Sequence, residues 1–331
     1  MLPAPALIEV RRGGRLESVH CGHAAIVTPD GGVQEGWGTP STVVYPRSSC
    51  KMVQALPLVE SGAAEAAGLG DDHLALACAS HNGAAIHTDR VRAWLAAEGL
   101  GEGDLRCGTQ WPADRPARDA LIRGEAAPDQ THNNCSGKHA GFLTLGRRLH
   151  GGPDYIDVDH PVQRAVRAAF EEMTGEQSPG HAIDGCSAPN FACTLAGLGR
   201  AMARFAAAEE EGGARGAAML RLRRAMVAHP ALVAGEGRAC TALMRAMDGV
   251  AVKTGAEAVY VAIVPQRQVG VAVKIADGGT RAAEAAIAAL LIHLGVLDPD
   301  HPAARSLVNA PIRNRRDIVT GEIVAAPGFP A

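Results

Sequence analysis

The stretch Arg47-Ser48-Ser49-Cys50-Lys51 follows Tyr45-Pro46 and opens an apolar run through Met52, Leu56 and Val59. A serine three residues before a lysine at a helix start sets both side chains on one face, one turn apart. In that arrangement a neutral amine can take the proton of a serine hydroxyl and turn it into a nucleophile. The triplet alone is common, so its weight comes from the scarcity of lysine. Lys and Arg together number 32, yet only four are lysines: Lys51, Lys138, Lys253 and Lys274. Arginine keeps its charge and planar fork, whereas a desolvated ammonium can shed its proton and act as a base or a ligand. A chain this biased toward arginine keeps lysine where guanidinium would not serve.

Two further patterns follow in order. Ser80-His81-Asn82 closes the short apolar run Leu74 to Cys78, and Lys253-Thr254-Gly255 stands just before a strand-like segment. Ser-x-x-Lys, Ser-x-Asn and Lys-Thr-Gly, in that order, form the catalytic set of penicillin-recognising serine enzymes. A strand-edge lysine would place positive charge beside a substrate carboxylate or a developing oxyanion. The plainer alternative is a surface lysine opening an edge strand. A third constellation joins Cys135, Lys138 and His139 of the block Thr131 to His139 with Asp184-Gly185-Cys186-Ser187-Ala188-Pro189. Two thiolates, an amine, an imidazole and a carboxylate could close around a tetrahedral zinc ion. Two buried cysteines beside capping polar groups are the competing explanation.

The elements that must position these groups start with strand-like runs Ala6 to Arg11 and Ser18 to Val27, joined across a Gly13-Gly14 turn. A third strand candidate, Ser41 to Tyr45, leads into a helix from Ser49 to Glu60, and His87 to Glu98 reads as an amphipathic helix. Residues 101 to 130, rich in Gly, Pro and Asp, read as loop. Helices are expected over 161 to 174, 190 to 208 and 214 to 228. Ala258 to Val264 and Val269 to Ile275 make a hairpin, and Arg281 to Leu294 an apolar helix. Strands at both ends with helices between predict an α+β fold, one antiparallel sheet assembled from both chain termini. A single catalytic domain over 1-331 is expected, with sheet from about 1-46 and 250-280, a helical region at about 49-248, and a C-terminal helix at about 281-295.

Composition excludes several roles. The chain is 47% hydrophobic and 20% charged, with net charge −3, so no basic field would hold nucleic acid or an anionic membrane. The cluster Arg313, Arg315, Arg316 reads as a solvated terminus. The longest apolar stretch, Ala285 to Ile292, is far too short to span a bilayer. The N-terminal segment from Met1 to Ala6 lacks the features of a secretory signal. Eight scattered cysteines suit buried free thiols in a reducing, cytoplasmic setting.

The blocks Tyr45-Pro46-Arg47-Ser48-Ser49, Ala79-Ser80-His81, His132 through Gly141, Asp184-Gly185-Cys186, His229-Pro230 with Val233-Ala234-Gly235, and Lys253 with Gly255-Ala256-Glu257 together resemble the asparaginase II family, typified by the inducible L-asparaginase of Rhizobium. The resemblance covers nearly the whole chain and implies a fold similar to serine β-lactamases and glutaminases, and a homodimer. It also implies that Ser48 attacks the side-chain amide of L-asparagine with Lys51 as its base, while Ser80 and Lys253 form a second Ser-Lys pair that relays protons. Zinc would sit on Cys135, Lys138 and Cys186. Arg47, Lys138, His139 and Asp184 would contact substrate, Asp184 suiting the α-ammonium. One departure from the family pattern is Ser187, where glycine is expected. Lysine ligates zinc only when deprotonated, so zinc occupancy should fall with pH. Two alternatives stay open: a glutaminase or other β-lactamase-like amide hydrolase, and a non-catalytic amino-acid or zinc-binding protein.

Overall fold

The computed structural model describes residues 4–330; the first residues of the N-terminal segment, Met1 to Pro3, lie outside them. The N-terminal hairpin forms as expected from β1 (Ala6–Arg12) and the long β2 (Arg15–Val27), followed by β3 (Val33–Trp37) on the far half of β2. The segment around Ser41 to Tyr45 yields only β4 (Val43–Val44), which leaves the main sheet. Two small ladders lie outside that sheet. β5 (His181–Ile183) pairs β6 (Pro189–Phe191), and β7 (Cys193–Thr194) pairs β4.

Three C-terminal strands, β8 (Ala251–Thr254), β9 (Val259–Val264) and β10 (Val269–Ile275), complete the centre of the sheet. β10 lies antiparallel to β2, so the two ends of the chain meet at the middle of one sheet. The mixed α and β architecture and the antiparallel sheet from both termini are therefore as expected. β9 and β10 are buried along almost their whole length, which explains their near-continuous apolar sequence. Helices Leu195–Ala206 and Thr280–His293 both pack on these strands.

The sheet runs further than the sequence suggested. β11 (Ala310–Arg313) and β12 (Val319–Ala325) form a hairpin that adds to β1, giving the order β11-β12-β1-β2-β10-β9-β8. The arginine cluster read as a solvated terminus belongs to this hairpin. Arg313 ends β11, and Arg315 and Arg316 sit exposed in its turn, where Asn314 Oδ1 accepts from the Arg316 and Ile318 amides.

Three helix boundaries also differ, each for a local reason. The run from Ser49 to Glu60 breaks into a 3-10 turn, Arg47–Cys50, and two short helices, Lys51–Gln54 and Leu56–Glu60. Pro57 cannot donate to the preceding turn and forces the break. Within 101 to 130, helix Arg115–Arg123 forms with Asp114 capping the Ala117 amide and Pro116 in its first turn, a start signal the loop assignment overlooked. The helix expected from 190 begins at Leu195, where Thr194 caps the Gly197 amide.

Candidate active site

Three buried lysines converge at the end of the sheet. Lys51, Lys138 and Lys253 are 1%, 3% and 1% exposed, which no surface lysine would be. Lys51 starts the helix after the 3-10 turn, Lys253 lies on β8, and Lys138 is in the first turn of helix Ser136–Arg148. Two glycines allow this convergence. A Cβ on Gly255 would come within 2.6 Å of the Pro46 carbonyl, so only glycine lets the end of β8 lie against the serine turn. A Cβ on Gly137 would meet the Leu76 carbonyl at 2.4 Å, so glycine again sets the helix that carries Lys138 against helix Asp71–Ala77.

Ser80 sits in the buried loop after helix Asp71–Ala77. That loop is held by backbone bonds from Ser80 N to the Val233 carbonyl, His81 N to the Asn134 carbonyl, and Asp114 N to the Asn82 carbonyl. The Asn82 side chain completes the anchoring by donating to Asp114 and accepting from the Ala84 amide. It therefore braces the loop. His81 is buried and its pKa is pushed well below the usual value, by burial and then by His87. The Ser136 hydroxyl donates to the Thr131 carbonyl, so it accepts from His81 Nε2–H at 2.9 Å. This imidazole ties the Ser80 loop to the helix bearing Lys138.

Ser80 Oγ receives two amines. Lys51 Nζ lies 3.0 Å away and Lys253 Nζ 2.8 Å away. Burial, reinforced by the charge of Lys51, brings Lys253 down to about 7. Lys51 also donates to the Ala79 carbonyl and to Cys135 Sγ, the latter at 3.0 Å. Ser48 is half-buried in the turn beside these groups, and its hydroxyl makes no hydrogen bond among the described residues. Lys51 thus faces Ser80 and Cys135 rather than the serine one turn before it.

The second cluster adjoins the first through that Cys135 contact. Lys138 Nζ donates to Cys186 Sγ at 3.1 Å. A hydrogen bond from Cys135, working against burial and assisted by Lys138, holds the Cys186 thiol well below its ordinary range. The same bond and burial push Cys135 up to about 12. Burial would lower Lys138, but the sulfur of Cys186 and then that of Cys135 raise it. The donor set is therefore two sulfurs and an amine held within reach of one another, with the proton favoured on Cys135 over Cys186. No group of three or more His, Cys, Asp or Glu side chains gathers to hold a metal among the described residues. Only with the lysine does this cluster offer three donors, and two soft sulfurs with one nitrogen suit zinc.

Asp184 sits at the edge of this cluster. Burial alone would raise its carboxyl, but Lys138, the Gly185 amide at 2.7 Å and Arg47 hold it below the usual carboxylate range. Arg47 Nε and Nη2 approach Asp184 Oδ1 at 2.8 and 2.7 Å. That pair restrains a backbone with φ of 53° at Arg47, a conformation costing roughly 1–3 kcal/mol outside glycine. Ser187, the residue departing from the family pattern, also has positive φ, 68°, in the tight turn between β5 and β6. The turn persists with serine because Ser187 N donates to the Asp184 carbonyl at 2.8 Å and Asp184 N to the Ala188 carbonyl at 3.0 Å.

His139 is fully buried, and burial and Lys138 push its pKa well below normal. Tyr155 hydroxyl accepts from the Arg106 amide at 2.8 Å, and its own proton has one acceptor in reach among the described residues, His139 Nδ1 at 2.9 Å. The proton of this neutral ring is then on Nε2, which is buried without a partner. A buried N–H donor of this kind suits a ligand oxygen and cannot itself ligate a metal. Sequence reasoning did not find Tyr155 or the Lys51–Cys135 contact. Tyr155 is one of only three tyrosines, but nothing in its neighbours marks it.

The sheet end thus gathers Arg47, Lys51, Ser80, Cys135, Lys138, His139, Asp184, Cys186 and Lys253, with Ser48 on the turn between Arg47 and Lys51. No curated protein matches the sequence. Among solved structures, a β-lactamase from Mycobacterium bovis is 13% identical, with 83% of this chain and 95% of that one covered at a TM-score of 0.39. A protein assigned as a β-lactamase from Bacteroides dorei is also 13% identical, covering 77% and 84% at 0.40. The family model for L-asparaginase II matches residues 8–325, from the first strand of the sheet to the last and through every cluster described above. The chain is a member of the L-asparaginase II family.

Proposed function

We propose that this protein is an L-asparagine amidohydrolase that releases L-aspartate and ammonia through a serine acyl-enzyme. Family membership supports an amidohydrolase. The observation carrying the mechanism is Ser80 Oγ held between the amines of Lys51 and Lys253. In this scheme Ser48 Oγ attacks the side-chain amide carbon and its proton passes to Lys51. Ser80 and Lys253 relay a proton to the departing ammonia, leaving a β-aspartyl ester on Ser48. Water then attacks the ester with the same bases and frees aspartate. Asp184 would pair the substrate α-ammonium, Arg47 its carboxylate, joined by the Lys138 ammonium when that amine holds no metal, and His139 Nε2–H an oxygen of the bound amino acid.

Cys135, Lys138 and Cys186 would hold zinc. When bound, the metal supplies fixed positive charge beside the substrate-binding groups. The enzyme would act as a homodimer in a reducing, cytoplasmic environment, in keeping with eight free cysteines. Among the described residues no helix is long and apolar enough to cross a membrane.

Ser80 as nucleophile is the one rival with an observation behind it, since both amines contact it and neither contacts Ser48. The deciding experiment follows ammonia release from L-asparagine and L-glutamine by wild type, Ser48→Ala and Ser80→Ala, with hydroxylamine trapping of the acyl-enzyme. Selective asparagine turnover with no trapped ester in Ser48→Ala supports the scheme. A trapped ester in Ser48→Ala transfers the nucleophile to Ser80. Preference for glutamine makes the protein a glutaminase, and a folded protein silent on both amides returns the site to amino-acid binding.

A further inference from the structure

Lys274 is the one lysine that the catalytic and metal clusters leave unused. It lies on β10, half-buried, and with Arg47 lines a cavity of about 520 Å³ between the end of the sheet and the β4 and β5 segments. This volume is typical of small-molecule sites. Lys274 Nζ donates to the Glu257 carbonyl and is otherwise free of hydrogen bonds among the described residues. Asn190 and Thr42 also line the cavity. Val44, Val43, Tyr45 and Ile183 add apolar surface, the last three of them exposed.

Arg47 joins this cavity to the candidate active site, because the guanidinium that pairs Asp184 belongs to a cavity-lining residue. Free asparagine held at Arg47 by its α-carboxylate would end there. A residue attached to that carboxylate would extend into the cavity, where the apolar wall can cover a side chain and Lys274 can meet a terminal carboxylate.

We propose that the cavity is a subsite for the residue that follows asparagine in a short peptide, so that the enzyme also deamidates asparaginyl dipeptides with an apolar C-terminal residue. The inference rests on the asparagine reading given above. Water adds across the C–N bond of the asparagine amide, ammonia leaves, and the peptide bond is untouched.

The test compares ammonia release from L-asparagine and from L-asparaginyl-L-leucine by wild type, Lys274→Met and Val43→Glu. The exposed position of Val43 lets the second variant fold while placing negative charge at the rim. The expected result is that wild type turns over the dipeptide, that both variants raise its KM about tenfold, and that kcat/KM for free asparagine stays within twofold. Turnover of asparagine with none of the dipeptide overturns the proposal. Free L-leucine forms a second arm: binding that Lys274→Met abolishes, without dipeptide turnover, makes the cavity an effector site and also overturns it. Loss of dimerisation in Val43→Glu with unchanged dipeptide kinetics overturns it in favour of a second copy of the chain. Should asparagine itself not be hydrolysed, calorimetric binding of the dipeptide decides. A tenfold loss in Lys274→Met supports the subsite, and equal affinity refutes it.

Discussion

Lys253→Met should inactivate the enzyme and, near neutrality, make it more stable. In the folded protein the Lys253 amine titrates near 7, against an ordinary value of 10.5. Because the folded value is the lower one, the unfolded chain holds a proton that the folded chain has released between those two pH values. Wild-type stability therefore rises with pH across that window, and the penalty for burying the amine is fully present below pH 7. That penalty is about 4 kcal/mol at pH 7 and about 2 kcal/mol at pH 9, from the gap in pKa at ~1.4 kcal/mol per pH unit. Methionine keeps most of the buried stem without the charge. It forfeits the bonds to Ser80 Oγ and the Thr254 carbonyl, each worth about 1 kcal/mol and independent of pH. The variant should thus exceed wild type by roughly 2 kcal/mol at pH 7 and match it near pH 9. Urea unfolding of both proteins at pH 7, 8 and 9 measures this directly. A stability difference that stays flat over the series would mean that Lys253 is not depressed, and the base assigned to the relay would be lost. Wild-type kcat should climb with pH through about 7 for the same reason, as Lys253 gives up its proton.

Zinc binding at pH 7 should release protons from Cys135, which sits up at about 12, and from Lys138, which is also raised, with the smallest share from Cys186, whose thiol is held well below its ordinary range. Calorimetry in buffers of different ionisation enthalpy counts them, and a release of none excludes the proposed ligand set. Ser187→Gly should stabilise the protein by up to ~1 kcal/mol, since the left-handed turn at Ser187 costs serine more than glycine; a lower urea midpoint would contradict that. Tyr155→Phe should cost about 1–3 kcal/mol by leaving the Arg106 amide unpaired. It should also raise the KM for asparagine, because His139 is then free to adopt the other tautomer. An unchanged KM would show that the ring does not contact substrate.

The sheet assembled from both termini was legible because its strands carry their own signals: an alternating N-terminal hairpin and a β-branched pair around Pro265 to Gln268. The last hairpin was not, because Gly321 and the polar residues of β12 dilute the pattern, and because a strand at the sheet edge need bury only part of itself. In the site, the scarcity of lysine was the strongest signal. Burial of Lys51, Lys138 and Lys253 agrees with the reason given for it. The pairings were less legible. Spacing put Lys51 opposite Ser48, whereas the backbone goes through a 3-10 turn there and directs the amine to Ser80 and Cys135. Tyr155 is brought to His139 by the packing of the segment after helix Ser136–Arg148, which no local pattern encodes.

Lys51 explains why Ser48 stands free. Its amine already holds three partners, the Ala79 carbonyl, Ser80 Oγ and Cys135 Sγ. A proton that Lys51 takes from Ser48 can leave along one of these contacts. Ser80 Oγ lies between it and Lys253, the amine that is partly neutral at pH 7. Ser80 is on this argument a relay, handing a proton along while forming no bond to carbon. A relay hydroxyl can be replaced by water wherever there is room for one. Ser80→Gly leaves that room between the two amines and Ser80→Val fills it. Single-turnover acylation by asparagine should therefore be about tenfold faster in Ser80→Gly than in Ser80→Val, both well below wild type, since positioned proton transfer contributes on the order of 10²–10⁴-fold. Equal rates in the two variants would mean that no proton crosses position 80, and Lys253 would then act on the leaving group alone.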